Sequence, residues 1–291
     1  MPSDPVATRL AALAGTPVRD LYPAGAQHGS QHYRATLADG REVFAKLTDG
    51  PASPASAFEA EARGLRWLAE ADAVAVPDVL GGDGHGLVLT WLPPGPAIPD
   101  VAAAFGRELA RLHAAGADAF GAPWSGFIAS LPLDNTPWPA ALGWSQWYAE
   151  RRVRPYLRRA ADDGTLGPGD VALVEDVLAR IGELAGPDEP PSRIHGDCWS
   201  GNVLWSGGRG ALIDPAAHGG HRETDLAMLA LFGAPHLEQI LRAYTDEVPL
   251  ADGWRTRVPL HQLHPLLVHV CLFGAGYREA ALAAARAALI S

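Results

Sequence analysis

Lysine is almost missing from this chain: of 23 basic residues in 291, only Lys46 is not an arginine. Cysteine is nearly as scarce. Cys198 and Cys271 are too few for a disulfide framework and stand in no metal-ligand spacing, so disulfide-stapled and zinc-binding classes are excluded. The formal net charge is −10 and no basic tract exists, which excludes a general binder of nucleic acid or of anionic membrane. The apolar runs are broken by charges or prolines before the length a membrane span needs, and MPSDPVATRL has no signal-peptide core. A cytoplasmic protein is expected, with no nucleic-acid or membrane partner; no feature fixes an oligomeric state, and a monomer is the default. Eleven histidines follow no HExxH pattern, so each is by default a surface or hydrogen-bonded core group.

What is present begins with the lone lysine. At the end of the strand-like run REVFAKLTDG a solvated charge would be served equally well by arginine, so Lys46 suggests a need for a compact point charge, against the alternative that one lysine simply fell there. A hydrophobic content of 48% in a chain of this length can bury a large core in one or two domains.

Along the chain, residues 5–14 have amphipathic helical spacing, and GAQHGSQHYRATLADGREVFAKL gives a small-residue loop, a strand, an Asp39-Gly40 turn and a second strand. Residues 55–72 repeat apolar positions at helical spacing through Phe58, Leu65 and Leu68. VPDVL and HGLVLTWL are two further strands, and PPGPAIP (93–99) ends regular structure. The expected organisation is an N-terminal part, 1–92, and a mainly helical part, 93–291. Helices are expected over 100–116, 143–162, 168–186, 223–232 and 235–246, with two more at the C-terminus. Only RIHGD, NVLW and ALID interrupt them as short strands.

The stretch IHGDCWSGNVLW carries the chemistry. In phosphoryl transfer a carboxylate accepts the proton of the attacking hydroxyl, while an amide and a second carboxylate hold the metal that neutralises the phosphate oxygens. Asp197 and Asn202 stand on one loop, and a hairpin through VLWSGGRGALI would return Asp214 beside them. A small-residue loop before a strand bearing Lys46, then a helix bearing Glu61, fits the covering of nucleotide phosphates. Taken singly, Glu61 could equally face solvent, and an Asp or Asn could equally satisfy loop backbone groups. The ordered set is what points to chemistry.

HGDCWSGN followed by a short strand and LIDP resembles the kinase-like phosphotransferases that include aminoglycoside phosphotransferases and choline kinases. With IDPAAHGGHRETDLAMLALFG, FEAEARGLRWL, FIASLPLDNTPW and QLHPLLVHVCLFGAGY, the resemblance narrows to the fructosamine kinase (ketosamine 3-kinase) family and covers most of the chain. It implies an α+β, protein-kinase-like fold of two lobes, a small antiparallel-sheet N-lobe and a mainly helical C-lobe. It further implies ATP with magnesium, and phosphate transfer to a sugar hydroxyl of a glycated amine, free or on a protein side chain, in deglycation. Carried over residue by residue, Asp197 is the base, Asn202 and Asp214 are metal ligands, and Lys46, Glu61, Gly29 and Ser30 attend the phosphates. The backbone of Thr90, Trp91 and Leu92 would meet adenine. Trp199, Asp134 and His264 would face the acceptor, and His195 and Asp225 would brace the catalytic loop; Trp199 as a core aromatic and Asp225 as a helix-end charge are the alternatives. The nucleotide loop AGAQHGSQHY departs from the family pattern, with His28 and His32 unexpected there. So do Thr90, SGFIASLPL, Val268 and Cys271. A kinase of another hydroxylated amine, such as an aminoglycoside, and a nucleotide-binding pseudokinase remain as competing readings.

Overall fold

The computed structural model describes residues 4–27, 29–48 and 57–290, so His28 and the expected start of the second helix at 55–56 lie outside it. Helix α1 (Pro5–Ala14) is capped by the Asp4 side chain and leads into β1 (Val18–Gln27), β2 (Ser30–Leu37) and β3 (Glu42–Leu47). Then come α2 (Ala57–Ala69), β4 (Val79–Asp83) and β5 (Gly86–Thr90). The five strands form one antiparallel sheet in the order β1-β2-β3-β5-β4, with Lys46 on its central strand. Sequence reasoning took the small-residue stretch that begins at Gly25 for a loop; Gly25, Ala26 and Gln27 are the end of β1, and the irregular register between Pro23 and Gly25 shows why the pattern hid the strand. The apolar faces of α1, β2, β3 and β5 meet in a small core around Leu10, Leu37, Val43 and Val88.

The remainder is mainly helical: α3 (Pro99–Ala114), α4 (Trp144–Tyr148), α5 (Arg154–Asp162), α6 (Pro168–Ala179), α7 (Ile181–Leu184), α8 (Arg222–Leu231), α9 (Leu237–Glu247), α10 (Trp254–Phe273) and α11 (Arg278–Leu289). A π-helical turn, Ala149–Val153, splits the helix expected over 143–162, because Pro155 brings no N–H to the ladder of the turn before it. Four short strands had no signal as strands or only a partial one: the hairpin of β6 (Gly126–Ile128) and β7 (Leu131–Leu133), and β8 (Ser192–Ile194) paired with β11 (His218–Gly220). The hairpin of β9 (Val203–Ser206) and β10 (Arg209–Leu212) lies where NVLW and ALID placed it. One expectation fails: the segment Trp254–Leu289 is long and apolar enough to cross a membrane by length and composition. Part of it packs inward, with Leu260, Leu263, Leu266, Leu267 and Val270 buried in the largest core cluster, while Phe273 is exposed.

Candidate active site

Helix α2 places Glu61 by its periodicity. Ala62, Leu65 and Leu68 are buried on the helix face that carries Glu61 one turn before Leu65, so the carboxylate is carried toward the sheet. Gly64 lets the helix approach the segment after Asp214, where an added Cβ would stand 3.2 Å from Ala217 Cβ and 3.3 Å from Pro215 Cγ. Lys46 Nζ donates to both Glu61 oxygens at 2.9 Å and to Asp214 Oδ1 at 2.6 Å. Burial works against the ammonium, but Glu61 and Asp214 outweigh it and push its pKa up to about 12. Burial raises Glu61, with Lys46 opposing and Asp214 adding to the rise. Asp214 itself is held at φ +53°, a left-handed conformation that aspartate tolerates better than most residues and that recurs at functional sites.

The catalytic-loop candidate hangs from Asp225 on α8. Its Oδ2 accepts the His195 N–H at 2.7 Å, its Oδ1 accepts the Gly196 N–H at 2.9 Å, and His113 Nε2 lies 3.1 Å away. Burial opposes that charge, yet these bonds hold the Asp225 carboxyl below its usual range. Gly196 turns at φ +81°, where a Cβ would sit 2.4 Å from Ala216 O, so no other residue fits. The His195 ring bridges two segments, Nε2 donating to Ile213 O at 2.8 Å and Nδ1 accepting the Asp197 N–H at 3.2 Å. His195 thereby ties the loop bearing Asp197 to the strand leading to Asp214.

Asn202 Nδ2 donates to Asp197 O at 2.9 Å and to Asp197 Oδ2 at 3.0 Å. Burial raises the Asp197 carboxyl to about 7, with the Asn202 bond opposing and Asp214 and Asp225 adding to the rise. A carboxylate poised there suits general base work at neutral pH. Because the Asn202 nitrogen is committed to Asp197, its Oδ1 is the atom left to offer a cation, and Asp214 has in Oδ2 an oxygen that Lys46 does not take. Oxygen donors of this kind suit a hard divalent ion, so the residues fit magnesium.

A cleft of about 810 Å³ joins Gly29, Ser30, Lys46, Glu61, Asp197, Trp199, Asn202 and Asp214. Gly29 and Ser30 belong to the β1–β2 turn, where Ser30 Oγ donates to Gln27 O at 2.8 Å. Trp199 is 36% exposed on the cleft wall, its ring resting over Gly201, and is therefore not a core aromatic. Of the backbone donors expected to meet adenine, the Thr90 N–H goes to Asp78 O and the Trp91 N–H to Glu42 O, both at 3.0 Å. The Leu92 N–H is the remaining donor of the three, though none of these three residues is among those that line the cleft.

Two expected acceptor residues are elsewhere. Asp134 does not line the cleft; its carboxylate accepts the Thr136 N–H at 3.0 Å and pairs with Arg151, and against burial the Thr136 bonds first and Arg151 after them hold its pKa down. His264 is 4% exposed, wedged against Tyr148 and Tyr156 in the core, and burial pushes its pKa down. The cleft instead carries residues that sequence reasoning missed: Phe232, Phe273 and Tyr277. A signal existed, since the tetrapeptide LFGA occurs at 231–234 and 272–275, each time at the end of a helix and each time putting its phenylalanine on the cleft.

The fructosamine kinase family model matches residues 8–290. The "Probable ketoamine kinase YniA" of Escherichia coli (strain K12) is 35% identical over 265 residues, 88% of this chain and 87% of its own. A crystal structure from Thermobifida fusca YX-ER1, of a candidate fructosamine-3-kinase, is 53% identical with a TM-score of 0.95 over 99% of each chain. The macrolide 2'-phosphotransferase MphH of Brachybacterium faecium, 21% identical, shares the fold at a TM-score of 0.62 over 95% of each chain. The small antiparallel-sheet lobe and helical lobe are thus the kinase-like architecture expected, and the chain belongs to the fructosamine kinase family.

Proposed function

We propose that this protein transfers the γ-phosphoryl group of ATP to a sugar hydroxyl of a ketosamine, as the ketoamine kinase names of its relatives suggest, in a cytoplasmic deglycation role. As a family member it is a phosphotransferase acting on a hydroxyl group. The observation that carries the reading is the convergence of Lys46, Glu61, Asp197, Asn202 and Asp214 on one cleft. In this reading residues 1–92 and 93–291 act as nucleotide-side and acceptor-side lobes, and Leu92 N–H meets the adenine edge. Glu61 fixes Lys46, whose ammonium orients the ATP phosphates. Asn202 and Asp214 would hold magnesium, which supplies neutralisation of the phosphate oxygens when bound. Asp197, steadied by Asn202, accepts the proton of the acceptor hydroxyl as the O–P bond forms and ADP leaves. Asp225 and His195 keep the loop in register, and Trp199 offers a face to the sugar.

An aminoglycoside kinase would need several carboxylates on the acceptor side to replace the lost hydration of a polycation. Among the described residues lining the cleft from Ala216 to Tyr277 there is no Asp or Glu. The test is ADP formation with magnesium and ATP against fructosamines, ribulosamines, aminoglycosides and free hexoses, with products identified by mass. Turnover of small ketosamines is expected, with poor activity on the other classes. Faster turnover of an aminoglycoside than of any ketosamine would overturn the reading.

A further inference from the structure

The acceptor side of the cleft has an ordered aromatic wall in which only Trp199, set against the sugar above, has been given a role. Trp199 meets Phe232 edge-on at 5.8 Å, Phe232 meets His269 at 5.1 Å, and His269 meets Tyr277 at 4.8 Å and Phe273 at 5.4 Å. The wall runs from two residues past Asp197 to the corner between α10 and α11, and it stays open to solvent. Among the described residues six large apolar side chains are exposed, and two of them stand here, Trp199 at 36% and Phe273 at 58%. The His269 ring donates through Nδ1 to Pro265 O at 2.7 Å, and burial lowers its pKa. Val268 and Leu272 extend the same apolar surface.

We propose that this wall is the subsite for the substituent on the amine of the ketosamine, and that the preferred acceptors are ketosamines whose nitrogen carries an aromatic or apolar group. The inference rests on the ketosamine reading above. With the sugar hydroxyl at Asp197, the rest of the acceptor extends along the wall. Aromatic faces attract the protonated secondary amine without an acid. Beyond the nitrogen, a flat or aliphatic group covers Phe273 and Tyr277 and removes apolar surface from water. A substituent ending in a carboxylate or ammonium would lose hydration there with no charged partner.

The test compares fructose adducts of benzylamine, methylamine and glycine, and of a lysine-containing peptide, on the wild type and on Phe273→Ala and Tyr277→Ala. Phe273 is exposed, so its truncation leaves no core cavity. Turnover is followed as ADP release, and acceptor binding is measured separately by titration calorimetry. The benzylamine adduct is expected to show the lowest KM. Either variant should raise that KM about tenfold with little change in kcat, and should raise the KM of the methylamine adduct by much less. Equal effects on all adducts, or a preference for the glycine or peptide adduct that survives both variants, overturns the subsite while leaving the kinase reading intact. Wall-dependent binding of the benzylamine adduct without ADP release supports the subsite and overturns the kinase reading. Absence of both binding and turnover overturns the two together.

Discussion

The two walls of the cleft are built on opposite principles. The nucleotide-side wall is a chain of charge, in which Lys46 bridges Glu61 and Asp214 and Asp225 suspends the loop that carries Asp197. The proposed acceptor wall is aromatic and open, with no Asp, Glu, Lys or Arg among the described residues that line the cleft from Ala216 to Tyr277. Charged groups in a dry site must be fixed by several partners at once, so each tolerates few alternatives. An aromatic wall is held by packing, and side chains of similar shape can exchange across it. The chemistry is therefore rigid on one side and adjustable on the other, which fits one reaction served to different acceptors.

The sharpest break of this contrast is Asp197→Asn. In the proposed mechanism it removes the proton acceptor and keeps the Asn202 neighbour, so kcat should fall by roughly 10²–10⁴ while ATP still binds. Steady-state turnover and nucleotide titration measure the two. The raised carboxyl makes a pH prediction as well. The active form is the carboxylate, so kcat/KM should climb about tenfold per pH unit below 7 and flatten above it. Stability runs the other way. A carboxyl raised from 3.8 to about 7 favours the fold fully below the lower value, and that contribution is lost as pH rises through the higher one. The Tm of Asp197→Asn should therefore gain on that of the wild type between pH 5 and pH 8. A constant difference would remove Asp197 from its dry site.

Lys46→Arg tests the opposite property of the same wall. The ammonium is one point meeting three oxygens at 2.6–2.9 Å, and a planar guanidinium cannot reproduce that convergence although it keeps the charge. A loss of at least about tenfold in kcat/KM is expected, with acceptor KM little changed. Full activity would mean that the single lysine is an accident of composition.

These differences explain what the sequence disclosed. Lys46, Asp197, Asn202 and Asp214 stood out in the sequence because phosphoryl transfer would call for those groups in that order, and the structure brings them to one cleft; the Asp39-Gly40 turn and α2 stood out because their local patterns are strong. Strand β1 was hidden by Pro23, Gly25 and an irregular register, which break the alternation that marks a strand. Asp134 and His264 were misplaced because a charge or imidazole says nothing of its partner. Arg151, seventeen residues away, claims the first, and the packing of Tyr148 and Tyr156 buries the second. Phe232, Phe273 and Tyr277 come together only because two helix ends meet at the cleft, and spacing along one helix cannot reveal that.

The smallest expected effect comes from the tip of the β6–β7 hairpin, where Ala129 lines the cleft at φ +50°. Its two-residue turn, Ala129-Ser130, places an L side chain where glycine is the usual occupant. The left-handed conformation costs a residue bearing a Cβ about 1–2 kcal/mol. Glycine avoids that cost but loses more freedom on folding, by about 0.5–1 kcal/mol. Ala129→Gly should therefore stabilise the fold by roughly 0.5–1 kcal/mol, a Tm increase of about 1–3 °C for a chain of this size. The same change takes a methyl group from the acceptor side and leaves Lys46 and Glu61 untouched. Acceptor KM should rise by no more than about twofold, while KM for ATP stays constant. A fall in Tm would show that the turn is unstrained, and a change in ATP affinity with no change for the acceptor would move the hairpin to the charged wall.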